Sequence, residues 1–139
     1  MDALAGRQTR AHRDVDLAVD STQEAAVLAT LERRDYAVET DGRPTRVELV
    51  APGRGRVDVH PVTFDAGGTG IQVGPHGERW VYPAACFVTG TIGGRTVGCI
   101  SAVQQIAWRA GYELRAVDHH DLAVLHRLVA GQDGRDGTS

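Results

Sequence analysis

The sequence predicts an α+β domain in which a mixed sheet is packed by helices. The predicted elements run strand, helix, several strands and then two helices, and this order is typical of that class. Because strands and helices do not alternate regularly, a doubly wound parallel sheet is not expected. The 139 residues, 42% of them hydrophobic, suffice for one domain with one core. We place that domain at residues 1–130 and a polar, disordered tail at residues 131–139.

The first part of the chain alternates turn signals with short apolar runs. Residues 2–6 have the pattern of a helix end, with Gly6 as its stop. Ser21-Thr22-Gln23-Glu24 has the form of a capping box and predicts a helix that starts there. The expected elements are a strand at 14–20, a helix at 22–34, strands at 36–39 and 45–50, and a strand at 56–63 paired with the one before it.

The second part predicts a loop, short strands and two helices. Residues 65–78 are rich in glycine and polar groups, which is typical of a flexible loop. Short strands are expected at 79–82 and 91–97. Ser101, with Gln104 three residues later, predicts a helix start, and Gly111 predicts its end. Asp118 is expected to cap the last helix.

Composition excludes several classes of function. The formal net charge of −3 argues against a protein that mainly binds nucleic acid. All fifteen basic residues are arginines, so a Walker-type phosphate loop and Schiff-base chemistry are excluded. The apolar runs are too short to span a membrane and no secretory signal opens the sequence, so the expected location is cytoplasmic. Cys86 and Cys99 form no redox or metal motif and are interpreted as free thiols.

Aspartates at period-two spacing are the main candidate site. Asp14 and Asp16 lie in a strand-like run and therefore project from the same face. Two neighbouring carboxylates repel each other unless a cation neutralises them, and hard oxygen ligands suit Mg²⁺. Asp58 would supply a third carboxylate, as a two-metal site requires. His60 shares the face of Asp58, and we give more weight to a structural role for it than to a role as ligand.

Five spaced segments carry a resemblance to a known family. They are residues 2–16, Val57-Asp58-Val59-His60-Pro61, Cys99-Ile100-Ser101, Gly111-Tyr112-Glu113-Leu114 and Asp118-His119-His120-Asp121. Together they resemble the small antibiotic nucleotidyltransferases that adenylylate lincosamides and the 2''-hydroxyl of aminoglycosides. The resemblance covers nearly the whole chain, and the combination of segments is much more specific than any one of them.

The resemblance implies a polymerase-β-like nucleotidyltransferase fold and a Mg²⁺-dependent reaction. A nucleoside monophosphate, usually AMP from ATP, would pass to an alcohol of a small molecule with release of pyrophosphate. Asp14 and Asp16 would then bind magnesium, and Asp58 would complete the two-ion site and help to deprotonate the acceptor. Arg10 is the candidate for a contact with the triphosphate, while His12 and Arg13 are as well explained by bracing the strand.

The acceptor side is predicted from a cluster of aromatic and charged residues. Trp80 and Tyr82 could form a wall against a drug or sugar ring, and Glu78 could pair with a cationic amine. Ordinary core aromatics explain the same pattern equally well. Asp118 and Asp121, although their composition suggests metal ligands, are interpreted as the acidic first turn of a helix.

Two alternatives stay open at this point. One is an antitoxin-type nucleotidyltransferase that modifies a partner protein, and the other is a truncated, inactive domain that binds nucleotide weakly. The family has a Gly-Gly-Trp-type segment before the region that matches Asp2 onward, whereas this sequence starts with Met1. We expect that a valine codon read as a start would produce this difference, which an intact mass of the native protein would test. A missing preceding helix would expose apolar surface that a homodimer could cover.

Overall fold

The computed structural model describes residues 1–110 and 113–136, with side chains described as far as residue 132. The chain divides into two compact units. One unit is formed by residues 12–84, and the other by residues 1–11 together with the described residues from 85 onward.

The unit of residues 12–84 is built on a six-stranded mixed sheet. Its neighbouring strands β2 to β6 are antiparallel in chain order, and β1 pairs in parallel with β4. This arrangement confirms the predicted mixed sheet. The strands are β1 Asp14–Asp20, β2 Ala37–Gly42, β3 Arg46–Ala51, β4 Gly55–Phe64, β5 Gly70–Val73 and β6 Arg79–Tyr82.

Strand β4 organises this unit because it is long and pairs on both sides. It contacts β1 along seven residue pairs and also pairs with β3 and β5. Alternate residues of β4 point to opposite faces, so Val57 and Val59 enter the core while Asp58 lies on the other face. Helix α2, Glu24–Glu32, covers the core face with Leu28 packed against these valines. The opposite face is thereby left to polar groups.

Helix α2 begins later than the sequence predicts. A short 3₁₀ turn, Ser21–Gln23, precedes it, and the side chain of Asp20 accepts from the Thr22 N–H at 2.9 Å. The predicted capping box at Ser21 is therefore wrong, because Asp20, the last residue of β1, satisfies the free backbone donor instead.

Part of the predicted glycine-rich loop is a strand. The alternation in Ile71-Gln72-Val73 lets β5 form a four-pair antiparallel ladder with β6. The expectation of a loop throughout residues 65–78 is wrong here, since glycine content alone hides a short strand whose neighbours supply its hydrogen bonds. The loop before β5 is shaped by Asp65, whose carboxylate accepts from the N–H groups of Gly67 and Thr69.

The second unit contains a hairpin and three helices in its described part. These elements are α1 Asp2–Ala5, β7 Phe87–Ile92, β8 Arg95–Ile100, α3 Ala102–Arg109 and α4 Ala116–Asp136. Gly6 ends α1 in the left-handed conformation, which confirms the predicted stop. The single strand predicted at 91–97 is wrong. Gly93 and Gly94 both have positive φ and make the two-residue turn that joins β7 to β8.

Helix α3 starts where the sequence predicts, whereas α4 starts two residues earlier than the predicted cap Asp118. Ser101 caps α3 and accepts from the Gln104 N–H, as predicted, while Gly111, its predicted stop, lies outside the described residues. Helix α4 starts at Ala116, so Asp118 is its third residue and not its cap. The Asp118 carboxylate still accepts from the backbone N–H of Arg115 at 2.9 Å. This contact satisfies a free donor at the helix start.

Helix α4 continues to Asp136, beyond Gly131, where the sequence predicts the tail to begin. Helix extension adds one hydrogen bond for each residue ordered, which can outweigh the cost of a glycine. The final residues, 137–139, lie outside the described residues. None of the helices in the described parts of the chain is long and apolar enough to cross a bilayer.

Candidate active site

The parallel pairing of β1 with β4 brings two predicted acids together. Asp16 lies opposite Asp58, and Ala18 lies opposite His60. Residues paired in this way share one face of the sheet, here the face away from the core. Each of three residues, Asp16, Asp58 and His60, offers one possible ligand atom, and these three atoms all lie within 4.8 Å of one another. Within residues 1–110 and 113–132, this is the group of side chains whose spacing could hold a metal ion.

The two aspartates have different surroundings. The side chain of Asp16 is 72% exposed, whereas Asp58 is 6% exposed. A hydrogen bond from His60 lowers the pKa of Asp16. Burial raises the pKa of Asp58, and the negative charges of Asp16 and Glu48 raise it further. A proton therefore binds to Asp58 more readily than to Asp16, which is how paired carboxyl groups acquire separate acid–base roles.

Charged residues on the neighbouring strand balance the acidic pair. Glu48 of β3 lies opposite Asp58. Arg46 forms an ion pair with Glu48, with 2.8 Å between Nη2 of Arg46 and Oε1 of Glu48. The positive charge of Arg46 acts on both aspartates and favours their ionised forms. The site thus contains a cationic group that limits the repulsion between the carboxylates.

The donor atoms fit a hard divalent cation. Oδ1 of Asp58 is buried and lacks a hydrogen-bond partner among the described residues. A buried carboxylate oxygen is normally paired, so an unpaired one beside a second carboxylate has the form of a cation ligand. Asp16 and Asp58 are the residues that would hold such an ion.

Asp14 is less closely associated with this group. It begins β1 opposite Arg56 and is exposed. It shares the face of Asp16 by strand alternation, but the group within 4.8 Å contains His60 and not Asp14. The role of Asp14 as a magnesium ligand stays a prediction. His60, for which the sequence analysis favours a structural role, lies in the group instead.

Arg10 belongs to the second unit, where it pairs with Asp121. Its Nε and Nη2 donate to the two carboxylate oxygens of Asp121 at 2.8 and 3.0 Å, and its Nη1 donates to the carbonyl of Ala11. A guanidinium group has five N–H donors, so two of those of Arg10 are not used in these three bonds. Its contact with a triphosphate stays a prediction.

Asp118 and Asp121 form an ion-pair cluster at the start of α4. Both are 2% exposed. Arg109 Nη2 lies 3.3 Å from Asp121 Oδ2, and Arg115 Nε lies 3.1 Å from Asp118 Oδ2. The sequence predicts the helix start but not the pairing of Asp121 with Arg10, because the two residues are 111 positions apart. The sequence shows only acids near a helix start, and the burial that makes such acids require partners is visible in the structure alone.

The predicted acceptor residues are found in different environments. Trp80 is 45% exposed, and Glu78 is exposed, with its carboxylate accepting from the His76 N–H. Tyr82 is buried, and its hydroxyl donates to Oε1 of Gln72. Contacts of these residues with an acceptor stay a prediction. Sequence reasoning missed Gln72. The only signal for it was its position as a polar residue between two apolar ones, Ile71 and Val73.

Known proteins provide an independent comparison. Residues 1–125 match the family model described as aminoglycoside-2''-adenylyltransferase. A lincosamide resistance protein of Staphylococcus haemolyticus is 33% identical over 129 residues, which are 93% of this chain and 80% of that protein.

Two solved structures show the same fold. The lincomycin-bound lincosamide antibiotic adenylyltransferase LnuA has a TM-score of 0.81 and 32% identity, over 91% of this chain and 80% of its own. ANT(2'')-Ia in complex with adenylyl-2''-tobramycin has a TM-score of 0.61 and 18% identity, over 98% of this chain and 83% of its own. The likeness to ANT(2'')-Ia concerns the fold alone.

Fold, acidic site and comparisons together define a nucleotidyltransferase. The chain belongs to the aminoglycoside-2''-adenylyltransferase family, whose members are antibiotic-modifying adenylyltransferases. The resemblance noted from the sequence and the α+β nucleotidyltransferase fold are both confirmed.

Proposed function

We propose that this protein transfers AMP from ATP to a hydroxyl group of an antibiotic, releases pyrophosphate and requires Mg²⁺. The observation that carries the proposal is the Asp16–Asp58 pair, with a buried, unpartnered oxygen on Asp58. Bound Mg²⁺ would neutralise charge on the phosphates and the leaving pyrophosphate. A cytoplasmic location, with access to ATP, belongs to the same proposal.

Asp58 is proposed as the general base. The acceptor oxygen attacks the α-phosphorus of ATP, the bond from that phosphorus to the bridging oxygen of pyrophosphate breaks, and the acceptor proton passes to Asp58. The raised pKa of Asp58 suits this role, because a carboxylate that binds a proton more readily is a better base. Asp16, whose pKa is lowered, stays ionised and suits the role of cation ligand.

A lincosamide is the preferred acceptor within the proposal. The chain is 33% identical to a lincosamide resistance protein and 32% identical to LnuA, against 18% for the tobramycin-modifying ANT(2'')-Ia. The exposed ring of Trp80 would offer a surface for the acceptor.

Pyrophosphate release from ATP and Mg²⁺, measured with lincomycin and with tobramycin, tests the proposal. We expect release that depends on the acceptor, together with an adenylylated drug in the mass spectrum. Absence of release with both drugs from a folded sample would contradict it. Label from ATP that appears on protein without any drug would favour the antitoxin-type alternative.

A further inference from the structure

A chain of hydrogen-bonded side chains connects the sheet interior with Asp16. The hydroxyl of Tyr82 donates to Oε1 of Gln72, and Nε2 of Gln72 lies 3.1 Å from Nδ1 of His60. His60 Nε2 in turn lies 3.1 Å from Oδ1 of Asp16. These groups lie in β1, β4, β5 and β6 of one sheet.

A backbone carbonyl determines the orientation of the Gln72 amide. The side-chain nitrogen of Gln72 lies 3.0 Å from the carbonyl oxygen of Thr45, a group that can only accept. The amide oxygen then faces the Tyr82 hydroxyl, which can donate. Gln72, Thr45 and Tyr82 are between 3% and 8% exposed, so water does not compete for these bonds.

The amide orientation in turn determines the tautomer of His60. Because Gln72 presents an N–H to Nδ1, this ring nitrogen must accept, and the proton of the neutral ring is on Nε2. Nε2–H then donates to Asp16. The opposite tautomer would place two N–H groups against each other and a lone pair against the carboxylate.

From this geometry we infer that Gln72, acting through His60, is a positioning residue for Asp16. His60 donates to one oxygen of Asp16 and so orients the carboxylate toward which the cation would bind. His60 itself is a hydrogen-bond donor and not a cation ligand, although its Nε2 belongs to the group within 4.8 Å. The catalytic meaning of this arrangement rests on the proposed function, whereas the tautomer does not.

Imidazole ¹H–¹⁵N NMR of the magnesium-free protein, at a pH where His60 is neutral, tests the tautomer directly. The His60→Asn variant identifies the signals among the six histidines. We expect a protonated Nε2 and an unprotonated Nδ1. The same pattern is expected in Tyr82→Phe, because Thr45 still orients the amide. In Gln72→Leu, which retains the volume but donates nothing, we expect a mixture of tautomers. Protonated Nδ1 in the wild-type protein would overturn the inference.

Binding of Mn²⁺ alone, followed by electron paramagnetic resonance, tests the effect on Asp16. Outer hydrogen-bond partners of metal ligands typically change affinity about 10- to 100-fold, and we expect Gln72→Leu to weaken Mn²⁺ binding by about tenfold. Gln23→Leu, the same change at an exposed position of the same unit, should leave binding unchanged. Equal Mn²⁺ affinity in Gln72→Leu and Gln23→Leu would overturn the inference. A wild-type protein with the expected tautomer and Mn²⁺ binding but no turnover would instead contradict the proposed function.

Discussion

Asp16 and Asp58 face each other on adjacent parallel strands, one with an exposed side chain and the other buried. A hydrogen bond from His60 lowers the pKa of Asp16, whereas burial raises the pKa of Asp58. A base and a cation ligand can therefore stand side by side within one sheet face.

Replacing Asp58 by Asn should abolish most of the turnover without unfolding the protein. The variant keeps the side-chain volume but cannot accept the acceptor proton, and general-base catalysis contributes roughly 10²- to 10⁴-fold. We expect a loss of about 10²-fold or more in the rate of pyrophosphate release with lincomycin. Asp35→Asn, in an exposed turn, is the matched control. Turnover in Asp58→Asn equal to that of Asp35→Asn would rule out Asp58 as the base.

Removal of the divalent cation should stop the reaction reversibly. We expect chelation by EDTA to abolish pyrophosphate release and added Mg²⁺ to restore it, since ionised phosphates need a cation to leave. A rate that persists in EDTA would show that the acidic pair has another role.

Asp16→Asn should raise the Mg²⁺ concentration needed for half-maximal rate by about tenfold or more, because it removes a charged oxygen ligand. Asp14→Asn should have a smaller effect, since Asp14 lies outside the group within 4.8 Å. Magnesium titrations of both variants measure this order. A larger effect of Asp14→Asn would mean that Asp14 is the principal ligand.

Asp121→Asn should destabilise the second unit. The substitution leaves the guanidinium groups of Arg10 and Arg109 without their buried carboxylate. Removal of one partner from a buried ion pair costs on the order of 3 kcal/mol, and we expect the free energy of unfolding at pH 7 to fall by about that amount. Urea unfolding followed by circular dichroism measures the change, and unfolding at the wild-type urea concentration would contradict it.

The ion pairs of Asp121 with Arg10 and Arg109 also predict that the stability of the protein depends on pH. Burial raises the pKa of Asp121, but the bonds and charges of Arg10 and Arg109 outweigh it and hold the pKa below its ordinary value of 3.8. The ionised form is therefore the stabilised one. Its contribution is complete above pH 3.8 and is lost as pH falls through the lower folded-state pKa. The stability difference between wild type and Asp121→Asn should shrink as pH falls below 3.8, and a constant difference would contradict this assignment.

Gly90→Ala should destabilise the packing of α1 on β7. A Cβ at Gly90 would clash with the carbonyl oxygen of Ala3, a backbone atom that cannot turn away. Overpacking of this kind costs about 1 to 3 kcal/mol. Gly98→Ala, opposite Thr89 on the same hairpin, meets open space and is the control. Thermal unfolding should separate the two variants, and equal melting temperatures would contradict the close approach.

The sequence predicted those strands and helix starts whose signals lie in residues next to each other along the chain. The alternation around Asp16 and Asp58 predicted both strands, and Ser101 with Gln104 predicted the start of α3. Strand β5 was missed because glycines surround its short alternating run, and its stability comes from pairing with β6. The β7–β8 turn was missed because Thr91 to Val97 reads as one continuous run until Gly93 and Gly94 are seen to reverse it.

The placement of carboxylates on one sheet face followed from the sequence, because strand alternation is a local property of the backbone. Which acids meet was decided by the tertiary structure, since the parallel register of β1 on β4 pairs Asp16 with Asp58 and leaves Asp14 opposite Arg56. The tertiary structure also decided the unequal burial of Asp16 and Asp58. It decided as well the hydrogen bonds that connect Thr45 through Gln72 to His60. Burial and hydrogen-bond direction depend on groups that are distant in the chain, and no local pattern encodes them.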